Sequence, residues 1–329
     1  MIKKKFLREM KRANNLYEKI ASLENLKLAF WKAARGKSSR KDVQIFRERL
    51  EENLQQLKND LDAGTVKVGD YHYFKIYDPK ERVICAASFR ERVLHHAILN
   101  VCEPVFERFQ IYDSYACRKG KGALACVRRA QHFCGKYRFY LKLDVHKYFD
   151  SVKHSILKSE LTRKFKDKRL LDLFWKIIDS YCVPEKTEQG LPIGNLTSQF
   201  FANLVLAIFD HKLKEFFRVD GYLRYMDDIL IFENDKKRLN DLRERVFELL
   251  RERLGLTFNK FQLNFTSVGI SFLGYRVFEK YLRLSARSRR NFIRKILSAI
   301  KNRNTETMLS LLGFVLRAET FGLRSKFCC

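Results

Sequence analysis

Three acidic residues stand where an apolar, basic chain has least reason to keep them. Asp144 closes the run Tyr140-Leu141-Lys142-Leu143, and Asp227-Asp228 lies between Tyr225-Met226 and Ile229-Leu230-Ile231. A carboxylate bounded by apolar strand residues is costly to bury unless it is paired or bound to a metal. Adjacent aspartates also repel each other, but the tight turn of a hairpin could aim both at one cation. A hard ion such as Mg²⁺ takes few carboxylates and completes its shell with substrate phosphates and water. Two such ions about 3.5–4 Å apart would stabilise the entering and leaving oxygens of an in-line phosphoryl displacement. An Asp-Asp pair in a turn is, on its own, more simply a solvated turn. The flanking residues decide against that simpler reading.

The charge balance points to the same substrates. The 329 residues carry 66 Lys and Arg against 38 Asp and Glu, a net charge of +28. That excess repels itself unless a polyanion shares the surface, so nucleic acid is the leading partner and an anionic membrane the runner-up. No apolar run approaches the roughly 20 residues that span a bilayer. The longest, Phe200 to Phe209, is short and carries Asn203. The N-terminus, MIKKKFLREMKR, is basic with no apolar segment behind it, unlike a secretory signal. The eight Cys form no CxxC pair and none of the seven His clusters with them. Reduced, mostly buried thiols of a cytoplasmic protein are the expectation, and a zinc site is not.

The elements that must position these residues follow from periodicity. Residues 1–62 are predicted helical: Phe6, Met10 and Ala13 open one amphipathic pattern and Phe46, Leu50, Leu54 and Leu57 continue another. The basic loop 35–42 separates them, with Ser38 or Ser39 near a helix start. Residues 64–88 alternate like a hairpin turning at Asp78-Pro79-Lys80. Helices are predicted over 89–108, after Arg118–Gly122 to about 135, after residue 152, over 199–217, and over 239–255 with Gly255 as stop signal. Strands are predicted at the start of 137–152, on both sides of Asp227-Asp228, and within 266–284. The last 45 residues are helical and basic. Runs of helices and runs of strands, without a βαβ alternation, make this an α+β chain.

Tyr225-Met226-Asp227-Asp228 inside LRYMDDILIF resembles motif C of reverse transcriptases, and LKLDVHKYFDSV resembles their motif A, with Asp144 its first acid. The resemblance implies a right-hand polymerase fold. An N-terminal helical extension (1–62), fingers (63–136), a palm (137–280, with a fingers-contributed segment at about 153–188) and a short helical thumb (281–329) would make it up. It implies Asp144, Asp227 and Asp228 as catalytic residues which, with the backbone carbonyl of Val145, hold two Mg²⁺ ions that Mn²⁺ could replace. Phe149 resembles the aromatic gate that meets the sugar C2′ position and excludes a ribose hydroxyl. KIYDPKERVICAASFRERVLHHAI resembles the fingers, with Lys80 and Arg82 on the incoming triphosphate; a Lys point charge and an Arg fork both suit phosphate. Arg118–Gly122 resembles the next fingers motif. The family pattern adds Tyr225, Gln189, Gly190 and Ile193 to the nucleotide contacts. Lys260 matches a motif D lysine that could act as general acid toward pyrophosphate. SFLGYRVF (271–278) resembles the primer grip.

Motif B narrows the kind of enzyme. Gln189-Gly190-Leu191-Pro192-Ile193-Gly194-Asn195-Leu196-Thr197-Ser198-Gln199 has Ile193 where most reverse transcriptases have Gln. LPIGNLTSQ, together with ENLKLAFWKAARGK (24–37), resembles the reverse transcriptases of diversity-generating retroelements. Those enzymes copy a template-repeat RNA into cDNA with errors opposite adenine, and the RNA/cDNA duplex feeds the diversification of a target gene. The family works with dNTPs and a small, pentameric helical-bundle accessory variability protein, in prokaryotic or phage-encoded systems. Replacing a Gln, which offers donors and an acceptor, by Ile, which offers volume, can loosen discrimination between nucleotides. Residues 280–329 hold 12 Lys and Arg against 2 Asp and Glu. Phe292, Ile296 and Ile300 at helical spacing fit a thumb whose other side grips phosphates. No RNase H, endonuclease or integrase domain is expected in that length. Retron, group II intron-like or phage-defence reverse transcriptases, or a non-catalytic RNA-binding scaffold, are the competing readings. A membrane-surface protein is weaker, because its charge would concentrate on one amphipathic helix.

Overall fold

The computed structural model describes residues 11–77, 81–325 and 327. In chain order, four helices come first: α1 (Tyr17–Ala21), α2 (Leu23–Ala34), α3 (Lys41–Glu48) and α4 (Leu50–Asp62). Strands β1 (Tyr71–Ile76) and β2 (Arg82–Ala87) follow, then α5 (Phe89–Arg108) and α6 (Ala123–Lys136). Next are β3 (Phe139–Asp144), α7 (Tyr148–Ser151), α8 (His154–Lys164), α9 (Lys168–Asp179) and α10 (Leu196–His211). The chain continues through β4 (Tyr222–Tyr225), β5 (Asp228–Glu233), α11 (Lys236–Leu254), β6 (Gln262–Phe265), β7 (Ile270–Phe272), β8 (Tyr275–Val277) and β9 (Leu282–Leu284). It ends in α12 (Ala286–Lys301), α13 (Thr305–Val315) and α14 (Phe321–Arg324). Helices and antiparallel sheets are mixed as the α+β expectation requires.

Two compact units share these elements. The first holds the described residues up to Ile111, His146–His211 and Leu250–Leu256; the second holds Tyr112–Val145, Lys212–Leu249 and the described residues from Thr257 on. Each unit is assembled from separate stretches, because the chain leaves and re-enters it.

The first unit is helical around one hairpin. Strands β1 and β2 pair antiparallel, from Tyr71 opposite Ala87 to Ile76 opposite Arg82. The expected turn at Asp78-Pro79-Lys80 lies outside the described residues, as do Phe6 and Met10. Helix α5 is flanked by α2 and α10, and its buried face carries Val93, Leu94, Ala97, Ile98 and Cys102. Phe30, Phe46 and Phe89 form one aromatic cluster, and Phe106, Phe165, Phe174 and Phe201 another. Each such ring pair adds about 0.5–1.5 kcal/mol beyond its buried area. Asp167 ties two helices together. Its carboxylate accepts from Leu170 N at the start of α9 (3.2 Å) and from Leu16 N (2.8 Å) and Tyr17 N (2.9 Å) at the start of α1. A side-chain oxygen there satisfies amides that a helix leaves without partners.

The second unit is built on a four-stranded antiparallel sheet ordered β4-β5-β3-β6. Ile229 to Phe232 of β5 are all buried, which explains the unbroken apolar run after the acidic pair. Tyr140, Leu223, Leu230 and Phe232 join Cys126, Val127, Ala130 and Phe133 of α6 in one core. A three-stranded sheet, β7-β8-β9, packs into the same core through Ile270, Phe272, Tyr275 and Val277.

Several sequence expectations shift. Helix α3 starts near Ser38 and Ser39 as expected, but neither caps it: the capping position is Arg40, whose side chain makes no cap. Helix α10 begins at Leu196, three residues before the expected start, so Thr197 and Ser198 lie inside it. Strand β6 precedes the stretch read as strands, and it pairs with β3 from Phe139 opposite Phe265 to Lys142 opposite Gln262. On α12, Phe292 and Ile296 are buried, but Ala299 rather than Ile300 completes the face; Ile300 is 42% exposed. Of the six described cysteines, four are buried and none is in a disulfide. No described helix is long and apolar enough to cross a membrane.

Candidate active site

The sheet of the second unit brings two of the acids face to face. Strands β3 and β5 pair so that Asp144 stands opposite Asp228. Residues in that relation hold their Cβ atoms about 4.5–5.5 Å apart. Asp227 joins them through the backbone, since Val145 N donates to its carbonyl at 3.3 Å. It sits in the β4–β5 turn beside Met226, whose φ of 54° is in the left-handed region that a side chain seldom adopts.

A buried arginine supports that turn. Arg224 is 0% exposed. Its Nη1 donates to the Met226 carbonyl (3.0 Å) and its Nη2 to Ser114 Oγ (3.2 Å). Its backbone N donates to the Asp113 carbonyl (2.9 Å). Asp113 is buried in turn, held by Arg129 Nε (2.9 Å) and Nη2 (3.3 Å) and by the Tyr115 hydroxyl (3.1 Å). Burial first, and then the Asp113 carboxylate, push the Tyr115 hydroxyl well above its ordinary range. A buried charge without such partners would cost several kcal/mol.

Two side chains address the facing acids. Asn259 clamps Asp144 twice: its Nδ2 donates to Oδ2 at 2.6 Å and its backbone N to the Asp144 carbonyl at 2.8 Å. Lys142 Nζ lies 3.7 Å from Asp228 Oδ1 and donates to the Ser271 carbonyl at 2.9 Å. Burial raises the Asp228 pKa above the usual carboxylate range; the Lys142 cation pulls it down and the Asp144 charge pushes it up. These are hard oxygen donors, which suits Mg²⁺. Among the described residues no three His, Cys, Asp or Glu side chains converge as a metal cluster. The facing Asp144 and Asp228 carboxylates fit an ion that takes one or two carboxylates and completes its shell from substrate phosphates and water.

Phe149, Gln189, Gly190 and Ile193, expected nucleotide contacts in the first unit, gather around one loop. Leu191 N donates to the Phe149 carbonyl (2.8 Å), Gly190 N to the Val152 carbonyl (2.9 Å) and Gln189 Nε2 to the Asp150 carbonyl (3.0 Å). Phe149 is half-buried, its ring edge-on to Tyr148 at 5.9 Å. The same loop is fixed to the hairpin: Cys85 N donates to the Ile193 carbonyl at 2.7 Å. Gly194 has φ +126°, and a Cβ there would come within 2.7 Å of the Cys85 carbonyl, so only glycine allows this approach. Asn195 Nδ2 donates to the Tyr71 hydroxyl (3.1 Å), which pairs with Ser180 Oγ (2.8 Å). Thr197 Oγ1 meets His95 Nδ1 at 3.0 Å, and Glu91 lies 3.3 Å beyond His95. Arg82 is exposed at the start of β2, and Lys80 lies outside the described residues. Tyr225 is half-buried opposite Asp228 in the second unit, and Lys260 is exposed just after Asn259.

Facing acids on antiparallel strands, one of them beside a strained turn, are what the motif A and motif C resemblance requires. The family profile described as reverse transcriptase (RNA-dependent DNA polymerase) matches residues 76–277, more than half of the chain. The chain belongs to the reverse transcriptase family. The family's right-hand polymerase fold accounts for the mixed helices and antiparallel sheets seen here. Among its relatives, the COX1/OXI3 intron 1 protein of Saccharomyces cerevisiae is 24% identical over 170 residues, covering 50% of this chain and 20% of that protein. Protein YkfC of Escherichia coli strain K12 is 26% identical over 288 residues, 72% of this chain and 74% of that protein. The retron Ec83 reverse transcriptase of Escherichia coli is 24% identical over 210 residues, 60% of this chain and 64% of that protein. The chain thus spans a fifth of the first relative and about three quarters of the second.

Sequence reasoning about this reverse transcriptase passed over Lys142, Arg224 and Asn259. Lys142 and Arg224 had a signal, since both are charges inside apolar strand runs, the criterion that picked out the acids. Asn259 had none, because its partner is 115 residues away.

Proposed function

We propose that this chain is an RNA-directed DNA polymerase of the diversity-generating kind, copying a template-repeat RNA into cDNA with errors opposite adenine. The observation that carries the polymerase is the register that sets Asp144 opposite Asp228 with Asp227 in the adjoining turn. In the reaction a primer 3′-hydroxyl attacks the α-phosphate of a dNTP, the new P–O bond forms, and pyrophosphate leaves. Asp144, Asp228 and Asp227, with the Val145 carbonyl, would hold the Mg²⁺ ions. The ions supply Lewis-acid stabilisation of the charge on the reacting oxygens. Asn259 fixes the rotamer of Asp144, and the Lys142 cation opposes the rise that burial causes in the Asp228 pKa. Lys80, Arg82, Gln189, Gly190, Ile193 and Tyr225 would contact the dNTP, and Phe149 would meet its sugar. Lys260 would protonate the departing pyrophosphate.

The diversity-generating assignment rests on LPIGNLTSQ and on the fixed place of Ile193. Its carbonyl is anchored to β2, so its side chain offers volume at a defined position where the common Gln would offer hydrogen bonds. The template-repeat RNA and the accessory variability protein are the partners this reading carries. A second reading is favoured by the relatives, which include an intron protein and a retron reverse transcriptase. Primer extension on a defined RNA template with Mg²⁺ and dNTPs, followed by cDNA sequencing, separates the two. Errors concentrated at template adenines are the expected result, and Ile193→Gln should reduce them. Evenly faithful cDNA would leave a retron or intron-like polymerase; no product even with the native RNA and accessory protein would leave a scaffold.

A further inference from the structure

We propose that a groove at the far end of the second unit's sheet binds unpaired template RNA, away from the carboxylates. The groove has a volume of about 570 Å³ and lies between the end of α6 and the turns that follow β6 and β8. Its walls include Lys136, Arg138, Phe265, Ser267, Lys280 and Tyr281. Phe139, which pairs with Phe265, begins β3, whereas Asp144 ends it. Five residues of strand separate them, about 17 Å at 3.3 Å per residue. A chain held in the groove is therefore not at the reacting centre.

The chemistry of the walls selects the occupant. Lys136, Arg138 and Lys280 are exposed, with Glu279 the one acid lining the groove among the described residues. Arg283 lies 5.0 Å from the Tyr281 ring centre, and that ring stacks on Phe278 at 4.6 Å. Phe265 is 45% exposed on β6, an edge strand of its sheet. Cations beside open aromatic surface suit a phosphodiester chain with unstacked bases. A duplex offers no free base face, and an anionic peptide would leave the rings unused. The size suits a nucleotide-scale ligand. The walls are also held in place. Thr266 Oγ1 donates to the Tyr137 carbonyl (2.7 Å), Thr266 N to the Arg138 carbonyl (2.9 Å), and Phe278 N to the Tyr281 carbonyl (3.1 Å). In a family whose template is RNA, the unpaired template is the strand to expect.

The test uses the full chain, a homopolymeric RNA oligonucleotide and a DNA oligonucleotide of the same length. Binding is read by fluorescence anisotropy with a primer–template duplex saturating the polymerase cleft. K136E/R138E should weaken RNA binding at least tenfold and flatten the salt dependence by roughly 1.4 in log–log slope, two contacts at about 0.7 each. F265L, which changes no charge, should weaken it about tenfold, as expected for losing one stacked base. Both variants should extend a short primer–template at the wild-type rate. Photocrosslinking of wild-type protein to 4-thiouridine RNA should map to Phe265 or Tyr281, a readout independent of how well the variants fold. A loss with the charge reversal alone, tighter binding of the DNA, or crosslinks only elsewhere would overturn the proposal. The binding and crosslinking readouts do not depend on polymerisation, so they stand apart from the proposed activity.

Discussion

At the scale of single residues, the candidate centre is governed by what each acid is paired with. Asp227→Asn keeps the turn and its backbone hydrogen bonds but removes a charge proposed to bind metal. Extension should fall at least about 10³-fold, the size associated with losing a main electrostatic stabiliser, while anisotropy shows RNA affinity within twofold of wild type. Wild-type-like extension by that variant would sink the assignment. Lys142 permits a finer test. Burial already raises the Asp228 pKa, and Lys142 is the cation opposing that rise. Lys142→Gln should lift the pKa further, so more of the protein carries a protonated, inactive Asp228 at a given acid pH. The acid limb of the rate–pH profile should move upward at fixed Mg²⁺; an unmoved limb would show that Lys142 does not act through Asp228. The three acids were legible in sequence because charge inside an apolar strand is expensive wherever it occurs. By the same logic Lys142 and Arg224 could have been flagged. Asn259 could not, since a clamp on Asp144 exists only once β3 and the segment before β6 lie together.

Whole elements explain why Ile193 is a position rather than merely a residue. The loop that carries it is fastened to β2 by its own carbonyl, to β1 through Asn195 and Tyr71, and to α5 through Thr197 and His95. Gly194→Ala should drive a methyl group against the Cys85 carbonyl in a backbone conformation that L residues avoid. A loss of about 1–3 kcal/mol is expected, read as a lower urea midpoint. Asn195→Ala is milder: it releases one bond of the mount, so misincorporation should change with little change in melting temperature. An altered melting temperature with unaltered fidelity would make Asn195 only a packing residue. Helix α5 adds a pH dependence. Burial, reinforced by Lys32, depresses the His96 pKa to about 4. The unfolded chain then binds a proton below about pH 6.5 that the folded one refuses, so stability falls as pH drops from 6.5 toward 4. Chemical denaturation at pH 7 and pH 5 should show a loss that His96→Leu abolishes. Helices α5 and α6 and the hairpin were legible because their periodicity runs over many residues. Strand β6 is short and exposed on all but one of its residues, so no alternation marked it, and the early start of α10 was hidden by polar Thr197 and Ser198, which are buried, Thr197 against His95.

For the molecule as a whole, the charge of +28 acts twice, with opposite signs. Uncompensated, it repels itself and destabilises the compact state; offered a polyanion, it supplies the attraction for phosphates. Salt screens both effects, since the Debye length falls from about 10 Å at 0.1 M to about 3 Å at 1 M. The protein free of nucleic acid should therefore melt at a higher temperature as salt rises from 0.05 to 0.3 M, where the Debye length shortens about 2.4-fold. Over the same range its affinity for RNA should fall, by a factor of 10³ or more if about six to ten phosphates are neutralised. RNA added at low salt should raise the melting temperature by mass action, by about 2.7 kcal/mol of stability at a hundredfold excess over Kd. Differential scanning fluorimetry and anisotropy across one salt series measure both slopes. A melting temperature that falls with salt in the free protein would mean that ion pairs such as Arg129–Asp113, rather than net repulsion, dominate its electrostatics. That result would also separate the two meanings of a basic composition: a surface built to be shared with nucleic acid is strained without it, whereas a surface of satisfied pairs is not.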